Sequence, residues 1–245
     1  MLIISPKTYS GFRAALLGEL NAYKIDPDFW FNNFKDFSYC CEINGRKVSI
    51  ILTGYGQLSI AAGLREYDRL LREGPDDSVF FVGSCVNTIQ SDTDVNDIIL
   101  PTRSDSDDRL PTEIADMAIK RGCKDPWSYD SDLRKMCKEA ARRLSIPLKE
   151  GAIFSQDTIL SERLRPFTTE WGFGKGYIGC EYESAAFSSY SNFLGLKPAS
   201  LMFVKDTRKH GDYRVATEEQ IMQDVSSIIK IIKMAIAENG CKNEN

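Results

Sequence analysis

The sequence predicts an α/β protein: one domain, residues 1–245, with a central mixed β-sheet flanked by helices in three layers. Three observations predict it. Short runs of β-branched and aromatic residues alternate with longer stretches of helical periodicity, the order that builds a sheet covered on both faces. Four of the short runs lead into small or charged residues: Gly54-Tyr55-Gly56, Gly83-Ser84-Cys85, Glu181-Tyr182-Glu183 and Asp206-Thr207-Arg208. No internal repeat, low-complexity tract or linker divides the chain.

Leu2 to Ser5 reads as a buried strand, followed by a helix over Gly11 to Tyr23 with Phe12, Leu16, Leu17 and Leu20 on one face. Phe37 to Ile43 and Lys47 to Thr53 read as strands joined through Asn44-Gly45, a dipeptide that accepts the positive φ angles of a tight hairpin turn. After Gly56 come a helix over Leu58 to Arg72, a strand over Val79 to Val82, a glycine-rich loop and a strand over Asp97 to Pro101. Arg103 to Asp108 reads as a loop, and no element is assigned from there to Tyr129. A helix over Asp130 to Leu144 precedes a strand over Ala152 to Phe154 and a polar excursion to Gly176. Then follow a strand at Ile178 to Cys180, a helix at Glu183 to Leu194 and a strand at Leu201 to Lys205. Thr217 and Gln220 form a capping box for the last helix, with Ile221, Val225, Ile228, Ile229, Ile232 and Ile236 at helical spacing.

Composition excludes several classes of function. Lys plus Arg number 31 against 35 Asp plus Glu, a net charge of −4 that offers no broad cationic field to a nucleic-acid backbone. The seven cysteines form no CxxC pair and His210 is the one histidine, so reduced thiols of a cytoplasmic protein are expected rather than a metal site. No apolar run approaches membrane-spanning length, and Met1 to Ser5 lacks the features of an export signal.

In open α/β sheets ligands gather at the carboxyl ends of strands, where loops expose amides and helix N-termini. Taken in order, the residues at those ends resemble the purine/uridine nucleoside phosphorylase superfamily, which includes methylthioadenosine/adenosylhomocysteine nucleosidases. Val82-Gly83-Ser84-Cys85, with Asp97-Ile98-Ile99 downstream, resembles that family's glycine-rich loop and following strand. Cys180-Glu181-Tyr182-Glu183-Ser184-Ala185-Ala186 is similar to its Val-Glu-Met-Glu-Ser-Ala-Ala signature, with Tyr182 in place of Met. Asp206 falls where purine-cleaving members carry an aspartate, and the resemblance runs from Lys47 to the last helix.

The resemblance implies cleavage of the N-glycosidic bond of a small-molecule nucleoside, foremost phosphorolysis of a purine nucleoside to free base and ribose 1-phosphate. Inorganic phosphate would be the co-substrate, with no metal or organic cofactor, and the assembly a homodimer or a trimer of dimers. Hydrolysis and nucleoside or nucleotide binding without turnover are the alternatives. The chemistry explains the residue types: positive charge builds on the ribose and negative charge on the departing base, and both need stabilising. Asp206 is the expected acid beside the base. Glu183, with Glu181 and Tyr182, is expected at the ribose, whose hydroxyls bond a carboxylate more strongly as charge develops. Ser84, Gly56 and Lys7 are expected at phosphate or water, and Cys85, Asp157, Ile159 and Arg208 at the base.

Each residue also has a plain structural reading. Glu181 and Glu183 suit a helix N-terminus, Asp206 suits a turn, and Gly54-x-Gly56 lacks the third glycine of a dinucleotide loop because Ser59 stands there. Gly172 to Gly176 reads as a loop and His210 as an exposed loop residue. It is the ordered set that points to the enzyme.

The departures concern the nucleophile and the base. Bacterial hexameric phosphorylases carry an arginine for phosphate where this chain has Phe81, and a glycine and an arginine in the N-terminal loop where it has Ser5-Pro6-Lys7. Lys7, Arg13, or Lys35 or Arg46 from a neighbouring subunit are the candidate substitutes. No acid precedes Glu19 to activate water as in the nucleosidases, and Arg163-Leu164-Arg165 keeps only one member of the pair that reads uracil.

Overall fold

The computed structural model describes residues 1–6, 10–26, 37–73, 76–87, 91–156, 176–207 and 213–242. Lys7, Lys35, Asp157, Ile159, Arg163, Arg165, Arg208 and His210 lie outside the described residues, as does most of the 172–176 loop. In chain order the elements are β1 (Leu2–Pro6), α1 (Ser10–Leu20), β2 (Tyr23–Lys24), β3 (Ser38–Ile43), β4 (Arg46–Thr53), α2 (Gln57–Glu66), β5 (Ser78–Asn87) and β6 (Ile98–Asp105). There follow α3 (Arg109–Lys120), α4 (Ser131–Arg143), β7 (Leu148–Ser155), β8 (Gly179–Glu181), α5 (Ser184–Phe193), β9 (Lys197–Thr207), β10 (Arg214–Val215) and α6 (Glu218–Lys242).

The strands form one ten-stranded mixed sheet, ordered β10-β9-β6-β7-β8-β5-β1-β4-β3-β2. β4, β1, β5 and β9 run parallel. β6, β7 and β8 are parallel to one another and antiparallel to β9 and β5. Because β9 pairs with β5 as well as with β6, the run β5-β8-β7-β6-β9 returns to its start and closes into a ring of five strands. The β3–β4 hairpin turns through Asn44 (φ 51) and Gly45 (φ 74), the backbone that Asn-Gly favours.

Helices cover both faces. On one, Phe12, Leu16 and Leu20 of α1, Leu133 and Cys137 of α4, and Ile221, Val225, Ile228 and Ile232 of α6 pack on Phe80, Val82, Leu201 and Phe203. On the other, Ile60 and Leu64 of α2 and Phe187 of α5 pack on Leu2, Ile4, Phe81 and Val204, with α3 beside α5. Each such fully buried side chain contributes roughly 1.5–3 kcal/mol. The capping box of α6 forms as the sequence predicts: Thr217 N–H donates to Gln220 Oε1 at 2.8 Å, and Gln220 N–H to Thr217 Oγ1 at 3.2 Å.

Three local expectations change. Gly83-Ser84-Cys85 is strand, not loop, because β9 continues beside β5 as far as Asp206 and supplies backbone partners. Arg103 to Asp105 likewise extends β6 along β7. The helix expected to reach Arg72 ends its α-helical turns at Glu66 and continues as a π-helical turn, Tyr67–Leu71, closed by Arg72 N–H on Tyr67 O at 2.9 Å.

Candidate active site

The end of β5 is the meeting point. Val86 pairs with Asp206 of β9 on one side and with Cys180 of β8 on the other, and Cys180 in turn pairs with Phe154 of β7. Directly paired residues share a sheet face, so Val86, Cys180 and Phe154 form one cross-strand row, and a register shift between Cys85 and Val86 brings Asp206 opposite Val86. Ser84, two residues before Val86, points the same way, and both are half-buried. Cys85 points oppositely into the α2/α5 core with Tyr129 and Phe187, its sulfur 3.7 Å from Phe203 O. Burial, followed by the charges of Glu181 and Asp206, pushes its thiol well above the ordinary range. Cys85 therefore packs as a neutral apolar group.

Glu181 is 3% exposed, and both its oxygens are engaged within the protein. Oε2 accepts the Glu183 N–H at 2.6 Å and the Ser184 N–H at 2.8 Å, while Ser184 Oγ–H donates to Oε1 at 2.5 Å. Burial raises its pKa, and the bonds from Ser184 and Glu183 oppose the rise. A carboxylate at the first amides of α5 also meets the positive end of that helix. The Ser184 and Ser104 hydroxyls lie 2.9 Å apart, and Ser104 lies 2.6 Å from the Tyr129 phenol.

Glu183 is 4% exposed and accepts the Gly56 N–H on Oε1 at 2.9 Å. Gly56 sits at φ 87 immediately before α2, a backbone that strains any residue with a Cβ. The N-termini of α2 and α5 thus meet at two glutamates, which take up the amides that such ends offer to anions. Tyr182, between the two, is half-buried.

Among the described residues, the buried polar atoms without a hydrogen-bond partner include three on residues next to, or bonded to, those of the site. Gln57 Oε1, Gln156 Oε1 and Thr207 Oγ1 are sealed from solvent and unbonded, a condition that costs about 1–3 kcal/mol each. Gln57 follows Gly56, Thr207 follows Asp206, and Gln156 donates its backbone N–H to Glu181 O at 2.9 Å. A ligand rich in donors and acceptors relieves such a cost. Gln57, Ser104 and Tyr129 had no role in the sequence reading, since they belong to no motif and reach the site only through the fold.

The residues weighed for phosphate are placed as follows. Phe81 is in the core, its ring 5.5 Å from that of Phe187. A Cβ on Gly83 would meet the Phe81 ring at 2.6 Å, so this turn of strand requires glycine. Arg13 donates to the Tyr39 phenol at 2.7 Å and lies over the Phe37 and Tyr39 rings. Arg46 opens β4, at the opposite end of that strand from Gly54, and lies 3.6 Å from Asp76. Among the described residues no group of His, Cys, Asp and Glu is arranged to hold a metal, and no helix is long and apolar enough to cross a membrane.

Comparison with known proteins matches residues 10–237 to the phosphorylase superfamily. The DeoD-type purine nucleoside phosphorylase of Bacillus subtilis (strain 168) is 26% identical over 72% of this chain and 70% of its own length. A protein of the same name from Tolumonas auensis is 27% identical over 75% of this chain and 73% of its own. The DeoD-type 1 protein of Photobacterium profundum is 25% identical over 76% and 72%.

Proposed function

Because the chain belongs to the phosphorylase superfamily, we propose that it cleaves the N-glycosidic bond of a purine nucleoside by phosphorolysis, releasing the free base and ribose 1-phosphate. One observation carries this reading: of two buried carboxylates, Asp206 pairs with the end of β5, and Glu183, two residues past the β8 strand that pairs with that same end, is anchored by the Gly56 amide. The relatives' names support the reaction class and the purine.

In this mechanism a phosphate oxygen bonds C1′ of the ribose as the bond from C1′ to the base nitrogen breaks, and that electron pair leaves on the purine. Asp206, as the acid, delivers a proton to the purine ring and neutralises the leaving group. Glu183 holds the 2′- and 3′-hydroxyls, and its charge steadies the cationic sugar of the transition state. Ser84, two residues before the Val86 that pairs with Asp206, binds the nucleophile. Lys7 supplies positive charge for phosphate, and Asp157, Ile159 and Arg208 border the base. Glu181 supports Glu183 from behind. Active assemblies are homodimers or trimers of dimers, and inorganic phosphate is the one co-substrate.

Hydrolysis is the second reading, favoured by Phe81 in the core and Arg13 on Tyr39, where phosphate would be served by cations. Incubating the purified protein with adenosine, inosine and guanosine, with and without phosphate, separates the two. Phosphorolysis yields base and ribose 1-phosphate only when phosphate is present. Base release at the same rate without phosphate establishes hydrolysis, and no release under either condition overturns the enzymatic reading.

A further inference from the structure

The hydroxyls beneath Glu181 form a continuous path from the middle of the fold to the proposed sugar site. Tyr129 is 4% exposed and is pinned to β6 by backbone bonds: its N–H donates to Thr102 O at 3.3 Å, and Ser104 N–H donates to Trp127 O at 3.0 Å. From its phenol the path runs 2.6 Å to Ser104, 2.9 Å to Ser184 and 2.5 Å to Glu181 Oε1. The other oxygen of Glu181 holds the amides of Glu183 and Ser184, the backbone from which the Glu183 side chain departs. Burial keeps the Tyr129 phenol protonated by pushing its pKa up, so its proton stays available to Ser104. Groups from β6, the α3–α4 connection and α5 thereby join Glu181 of β8 in one task, and the reaction itself leaves Tyr129, Ser104 and Ser184 unassigned.

We propose that Tyr129 and Ser104 are positioning residues which, through Ser184 and Glu181, fix Glu183 against the 2′-hydroxyl of the sugar and so set a preference for ribonucleosides over 2′-deoxyribonucleosides. This rests on the reading of Glu183 as the ribose ligand. A site built to bond a substrate hydroxyl rejects the analogue lacking it, provided that the bonding group is held in place. Hydrogen bonds weaken steeply with angle and distance. Removing the phenol oxygen leaves Ser104 short of a partner, lets Ser184 turn between its two neighbours, and loosens the turn that carries Glu183. Cleavage of the ribonucleoside suffers, whereas the 2′-deoxy analogue has no 2′-hydroxyl bond to lose.

The test is the ratio of kcat/KM for a purine ribonucleoside to that for its 2′-deoxy analogue, measured in the wild type, Tyr129→Phe, Ser104→Ala and Glu183→Ala, with thermal melts alongside. Glu183→Ala is expected to flatten the ratio. Tyr129→Phe and Ser104→Ala are each expected to lower it by about fivefold, the equivalent of one net hydrogen bond. A purely structural role lowers the melting temperature and leaves the ratio at the wild-type value. That result in both variants, beside a flattened ratio in Glu183→Ala, overturns this inference alone. A wild-type ratio in Glu183→Ala overturns the ribose reading beneath it. Should Tyr129→Phe fail to fold, Ser104→Ala breaks the same path from the other side and is read in its place.

Discussion

At the amino ends of β1, β4, β5 and β9 acids meet bases, whereas at the carboxyl ends of the same strands acids are buried among amides and hydroxyls. Arg46 lies 3.6 Å from Asp76, Lys47 lies 2.9 Å from Glu73, and Arg72 bonds both Asp68 and Asp77. The Arg46–Asp76 and Lys47–Glu73 pairs and Asp77 line a cavity of about 480 Å³ together with Met1, Ser49, Ser78 and Lys197. At the other end Glu181, Glu183 and Asp206 are each less than a tenth exposed, and the bonds to Glu181 and Glu183 come from backbone amides and a serine. Solvent-exposed pairs neutralise each other and contribute little. Buried acids held by neutral donors keep an uncancelled field, which a positively charged transition state would use. The size of an opening therefore says less about function than the state of the charges around it.

The largest expected effect lies at the carboxyl end. Asp206→Asn and Glu183→Ala should each lower the rate of base release by about 10²–10⁴-fold, the range for a positioned acid or charge stabiliser, with circular dichroism unchanged. Activity within twofold of wild type in both would erase the distinction between the two ends.

A buried acid away from the site sharpens the comparison. Asp224 of α6 is 8% exposed, its Oδ2 is unbonded, and burial with the nearby charge of Asp97 pushes its pKa up to about 7. The folded protein thus holds a proton on Asp224 that the unfolded chain releases near the ordinary value of 3.8. Stability from this group is complete at low pH and is lost as pH rises from about 4 to 7. Asp224→Asn should melt increasingly above wild type as pH rises through that window, with activity retained. A constant difference in melting temperature across the window would show that Asp224 ionises normally. Burial of an acid is then a stability effect here, whereas the role proposed for Glu183 is a functional one, and Glu183 has an anchoring donor in the Gly56 amide.

The smallest effect belongs to the amino end. Arg46→Ala should change stability by no more than about 1 kcal/mol, as expected for a partly exposed pair, and leave turnover as in wild type. A loss of base release would give that cavity a part in the reaction.

Much of this was legible in the sequence, for local reasons. The apolar spacing of α6, its Thr217/Gln220 cap and the Asn44-Gly45 hairpin are set by neighbours in the chain, and all three were readable. The Cys180 to Ala186 signature pointed to the candidate site because spacing and chemistry coincide in seven consecutive residues. The extension of β5 through Gly83-Ser84-Cys85 was not legible, because it depends on β9, more than a hundred residues away. Nor was α3, whose buried face rests on Ile114 and three small residues, Pro111, Ala115 and Ala118. Composition alone says nothing of which way Glu181 turns. Its link through Ser184 to Ser104 and Tyr129 depends on the sheet order, in which β7 lies between β8 and β6.

The most direct test is a crystal structure of the protein with a purine nucleoside and sulfate. The account predicts the ribose hydroxyls on Glu183 and the base against Asp206, with the anion near Ser84. A nucleoside bound at the Arg46, Lys47 and Lys197 end, or one that touches neither carboxylate, would contradict it.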